Sequence, residues 1–136
     1  MSLHNRRLKV ITLDLDGTNF ECQVKSWTLN NNTDDGDKIY TYCPSGESIE
    51  EVDPDYSLSL TFYSDWTADG VSDFLWANDG EDITFQLDHH PDIVGEHVRW
   101  TGTLRVKAPN VGGDRGDTEE TEVELQIIGT PVYSRP

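Results

Sequence analysis

The chain has 136 residues, with 26 acidic against 10 basic side chains and a formal charge of −16. Such a field repels nucleic acid, whose phosphates are bound chiefly by Lys and Arg, and the length suits one domain able to bury most of its apolar surface. No run approaches the ~18 apolar residues of a membrane span, and Met1–Arg7 has no apolar signal core, so the chain is expected to work in water with no membrane partner.

The first element reads as a hairpin, Leu8 to Asp16 and Phe20 to Leu29 around Asp16-Gly17-Thr18-Asn19. Asp-Gly suits such a turn because glycine adopts positive φ without steric cost. Cys22 alternates with Phe20 and Val24 and reads as a small buried hydrophobe. Cys43 precedes Pro44 in a loop, and the pair fits no zinc or redox spacing. From Asn30 to Asp55 the text turns polar, with Asn31, Asn32, Asp34, Asp35 and Asp37 near its start and Tyr40 and Tyr42 hinting at a short strand. A polar excursion this long in a compact domain points to function or disorder.

Tyr56 to Tyr63 places Leu58, Leu60 and Phe62 on one face, as a half-buried strand does. Val71, Phe74 and Leu75 recur at helical spacing, with Thr67 or Asp69 as N-cap and Gly80 as stop, and mark the one helix expected. Ile83, Phe85 and Leu87 mark another strand, and Asp88 to Glu96 a loop. Val98–Ala108 and Glu119–Gly129 alternate strictly across a Pro-Gly connection and are expected to pair, with Arg105 and Lys107 opposite Glu122 and Glu120. The sum is an all-β fold with one flanking helix, an antiparallel β-sandwich or barrel of six or seven strands, without internal repeats.

Several strings invite specific chemistry. Val10 to Thr18 resembles the first motif of haloacid-dehalogenase-like phosphatases, in which Asp14 would be nucleophile and Asp16 acid/base beside a magnesium ion. That chemistry needs a parallel α/β setting, and a strand pattern directly after the turn argues for a hairpin. His89, His90 and His97 could converge on a metal, but adjacent histidines on a strand point to opposite faces. Asp34-Asp35-Gly36-Asp37 lacks the terminal Glu of a calcium loop, Tyr42 standing in its place. Arg115-Gly116-Asp117 is a chance-level tripeptide. Trp27, Trp66, Trp76 and Trp100 read as core or subunit-interface packing rather than a sugar platform.

Trp100 to Val106, the linker and Glu122 to Pro131 resemble the C-terminal half of major tail tube proteins of long-tailed, non-contractile bacteriophages. Tyr56 to Phe62 and Phe74 to Gly80 are similar to that family's mid-chain segments, and the likeness covers roughly Leu8 to Tyr133. The resemblance implies a virion structural protein of the tail, assembled in the host cytoplasm as stacked hexameric rings. The implied partners are further copies of the chain, within and between rings, and other tail proteins at the tube ends. DNA passes through without specific binding, and no catalytic residue, cofactor or metal is implied. The long loop that reaches a neighbouring ring corresponds to Asn30–Asp55, with Asn31, Asn32, Asp34, Asp35 and Asp37 as candidate stacking residues.

DNA must not adhere to the wall it passes, so that wall is expected to be negative. Asp14, Asp16, Glu21, Glu120, Glu122 and Glu124 are the candidate lumen acids, the first pair of strands being preferred. The alternative is a β-sandwich binding or capsid-decoration module, carbohydrate- or protein-binding. The phosphatase comes third.

Overall fold

Strict alternation of apolar and polar residues builds most of this molecule. In the computed structural model, which describes residues 2–136, β1 (Ile11–Leu15), β2 (Thr18–Asn19), β3 (Val24–Asn31), β4 (Lys38–Tyr40), β5 (Glu47–Ile49) and β6 (Tyr56–Tyr63) precede helix α1 (Val71–Ala77). The strands β7 (Asp82–His89), β8 (Val98–Arg105) and β9 (Glu120–Ser134) follow it. Seven strands form one sheet in the order β2-β1-β7-β8-β9-β6-β3, and β4 and β5 form a separate hairpin. Every pairing is antiparallel. The fold is all-β with one helix, and of sandwich and barrel it is nearer the second: a single sheet curled into a half-barrel. Only residues 20–23 separate β2 from β3, so the two sheet edges lie close together.

The inner face carries the core. Leu13 and Leu15 of β1, Leu58, Leu60 and Phe62 of β6, Phe85 and Leu87 of β7, Leu104 of β8 and Leu125 of β9 are all buried there. Each such side chain contributes roughly 1.5–3 kcal/mol relative to exposure. Helix α1 adds Val71 and Leu75, and its Phe74 ring lies 5.2 Å from that of Phe20.

Two bulges bend the sheet. One lies between Val24 and Ser26 on β3. In the other, Gly129, Thr130 and Pro131 stand opposite Gly102 alone, between the pairs Thr103–Ile128 and Thr101–Val132. An unpaired insertion of this kind increases local twist and turns a flat sheet into a curved one.

Four expectations need correction. The N-terminal hairpin exists only as β1 with the two-residue β2; β3 leaves it and pairs with β6 at the other edge. Phe20 goes into the core within the 20–23 link, and Cys22, two residues on, is exposed rather than buried. The helix is capped by Gly70, not Thr67 or Asp69. A β-carbon at that position would meet Asp65 Cγ at 2.6 Å, so the tight turn that starts the helix has no room for a side chain there.

Register is the fourth. β8 and β9 do pair, but Arg105 faces Gln126, while Glu122 faces Thr61 and Glu120 faces Tyr63 on β6. The connection over 106–119 is too long to impose register as a tight turn does, and burial of Leu104 beside Ile127 sets it instead. β9 also runs on to Ser134, past Pro131. That proline is tolerated because it sits in the bulge, where no ladder bond is required of it.

Candidate functional site

The outer face of the sheet is polar across six strands. Asp14 on β1 faces Gln86 on β7, which faces Thr101 on β8. A longer row runs Asp82, Arg105, Gln126, Ser57 and Asn30 from β7 to β3. Below it lie Glu124, Ser59 and Thr28, then Glu122, Thr61 and Ser26. Short hydroxyl and amide side chains make this a low, hydrated surface whose depressions, beside Ser59, Thr61 and Glu124 and beside Asp14, Gln86 and Thr101, lie open to solvent.

Both arginines of this face are committed. Arg105 Nε donates to Asp82 Oδ1 at 2.9 Å, and Arg99 Nε to Asp88 Oδ1 at 2.6 Å. Burial pushes the Asp88 pKa upward, but the Arg99 hydrogen bonds and charge, with help from Gln86 and His97, hold it below the ordinary carboxylate value. The carboxylates of Glu122 and Glu124 have no cationic partner among the described residues.

The six candidate acids therefore divide. Asp14, Glu122 and Glu124 share the polar face, although β1 and β9 are separated by β7 and β8. Glu120 lies at the end of the same face and binds Lys25 Nζ at 3.0 Å, which raises the lysine pKa. Asp16 is in the β1–β2 turn, and Glu21 belongs to the 20–23 link, with Oε2 shielded from solvent and without a hydrogen-bond partner. Of the acids in the first pair of strands and its turn, Asp14 thus shares a face with the acids of β9, not with its own neighbours.

Asp14 has a local role as well. Its Oδ1 accepts from the Gly17 backbone N–H at 2.7 Å, and Asp16 (φ 53) and Gly17 (φ 85) take the two left-handed positions of a primed hairpin turn. The phosphatase-like string is the corner of an antiparallel hairpin. Of the histidines, His89 stacks on His90 at 4.1 Å and lies edge-on to Trp27 at 5.6 Å on the core side, whereas His97 approaches Asp88 on the polar side. Burial, then the charge of His90, lowers the His89 pKa. Trp100 and Trp27 pack against the core, while Trp66 and Trp76 are exposed.

The excursion between β3 and β6 has a root and a head. Asn32 N–H donates to the Asp55 carbonyl, Asp55 N–H to Thr33 Oγ1, and Asn30 and Asn32 both donate to the buried Ser57 hydroxyl. Asn31 is the last residue of β3, so Asn31 and Asn32 anchor the root, and Asp34, Asp35 and Asp37 line the limb above it. The head is the β4–β5 hairpin, where Ile39, Tyr40, Tyr42, Ile49 and the neighbouring Val52 are all exposed, Tyr42 completely. Tyr40 and Tyr42 hinted at this strand in the sequence, whereas Ile39, Ile49 and Val52 escaped it. The available signal was Ile39 and Ile49 flanking the turn residues Pro44-Ser45-Gly46, and the surrounding acids mask it.

No protein-family model matches the chain, and no curated protein matches its sequence. Among the described residues no helix is long and apolar enough to cross a membrane.

Proposed function

We propose that this chain is a self-assembling structural subunit of the tail tube kind, in which the β4–β5 head contacts another copy and the polar outer face lines a conduit for DNA. The observation that carries the reading is the head. Ile39 on one face of the hairpin, Tyr40 and Ile49 on the other, Tyr42 in its turn and Val52 just beyond it gain nothing by exposure in a monomer, and exposed apolar surface of this kind marks an interaction site. The polar face supports the second half. Its two arginines are neutralised by Asp82 and Asp88, and the unpaired carboxylates of Glu122 and Glu124 repel phosphate, outnumbering the one unpaired cation beside them among the described residues, Lys107. Hexameric rings, placement in a virion tail and partners at the tube ends rest on the family resemblance.

Replacing residues 37–50 by a short Gly-Ser linker tests the head directly. The root hydrogen bonds lie outside the deletion, so the barrel should melt within a few degrees of the parent, while sedimentation velocity should show large assemblies replaced by small species. Undiminished assembly by the deletion variant would refute the role of the head.

A further inference from the structure

The chain's charge is unevenly distributed. Residues 1–10 hold Arg6, Arg7 and Lys9 and no acid, so the remaining residues carry −19 of a total of −16. This arm has neither helix nor strand over residues 2–10 and leads directly into β1. His4 and Arg6 both bind Glu96, which lowers the pKa of that carboxylate, and so fasten the arm beside the loop after β7. Arg7 and Lys9 form no ion pair among the described residues. With Arg6, His90 and Asp92 they line a shallow cleft of about 340 Å³ that is open to solvent.

The complementary charge lies on the excursion. Residues 34–55 contain eight acids and one base, Lys38, which already pairs with Glu47. Asp34 and Asp35 are exposed on the limb, without an ion partner of their own. Their position favours contact between copies. β3 runs in the same direction as β9, whose last residues pair beside Arg99, near the row where β1 begins. The arm and the excursion thus leave the same end of the barrel, and rotation about an axis along the barrel sets one copy's arm level with the next copy's excursion.

We infer that Arg7 and Lys9 of one copy dock against Asp34 and Asp35 of a second copy, an electrostatic latch between neighbours. The latch rests on the proposed self-assembly and names a contact within it. Two exposed pairs of this kind steer and orient association more than they tighten it, and they weaken as salt screens them.

Charge reversal and exchange on the full chain provide the test. Arg7→Glu with Lys9→Glu should weaken association about three- to tenfold in low salt, measured by sedimentation velocity, with the difference vanishing near 1 M salt. Adding Asp34→Lys and Asp35→Lys to the same chain should restore association, because the latch is rebuilt with its signs exchanged. Carbodiimide coupling of mixed isotope-labelled copies should give intermolecular Lys9–Asp34 or Lys9–Asp35 products. Assembly that is normal in the arm variant, or lost without rescue, overturns the latch while leaving self-assembly intact. A parent chain that stays monomeric overturns both. Duplex DNA retained by the parent and released by the arm variant assigns the arm to phosphate and also overturns the latch.

Discussion

His89 is the residue where protonation and packing meet. Its ring lies between His90 and the two tryptophans Trp27 and Trp100, and burial with the neighbouring His90 disfavours its charged form. Its folded pKa is below its ordinary value of 6.5, so the unfolded chain binds more protons as the medium acidifies. Stability is therefore unaffected above pH 6.5 and declines as pH falls below it. His89→Gln should flatten the slope of unfolding free energy between pH 6.5 and 5, and an unchanged slope in denaturant titrations would remove the argument. Asp88 acts lower on the scale: its depressed pKa supplies stability above the ordinary carboxylate value that is lost as pH falls through its folded value. Asp88→Ala strands the half-buried Arg99 and should cost about 1–3 kcal/mol near neutrality, measured by urea unfolding.

At the scale of elements, the bulge opposite Gly102 shapes the sheet. Gly129 sits at φ 75, and a β-carbon on Gly102 would approach Phe85 Cε1 at 3.1 Å. Gly129→Val should lower stability by about 1–2 kcal/mol through backbone strain alone, seen as a shifted urea midpoint with unchanged m. The elements themselves were legible where one face is buried: Leu58-Leu60-Phe62, Phe85-Leu87 and Val123-Leu125-Ile127 announce their strands, and Val71 with Leu75 the helix. Their partners were not. β3 follows the Asp-Gly turn yet pairs across the barrel with β6, with Phe20 buried in the link and Trp27 packed against the core. The polar face was half legible. Glu122 and Glu124 are visibly on the wet side of a strand, but their meeting with Asp14 on one surface depends on a strand order no local pattern encodes. Most opaque was the excursion head, whose apolar residues are too few and too interrupted by acids to show a period.

For the molecule as a whole, charge and shape are expected to act together. A wall with Asp14, Glu122 and Glu124 repeated around a ring excludes phosphate, over a range that salt shortens to ~8 Å at physiological strength. Changing all three to lysine should leave the barrel folded, since none is buried and only the Asp14 bond to the Gly17 N–H is lost, and should make assemblies retain duplex DNA in low salt. Release above about 0.5 M salt would follow from the steep salt dependence of phosphate contacts. The parent chain should bind no DNA in the same co-sedimentation assay.

Self-assembly into a conduit is the central claim, and electron microscopy of the concentrated purified chain tests it most directly. Hollow rings or stacked tubes are expected, with the face bearing Asp14, Glu122 and Glu124 turned to the lumen once the image is resolved to side chains. Discrete particles without rings at every concentration, or a tube carrying that face on its outside, would contradict that claim.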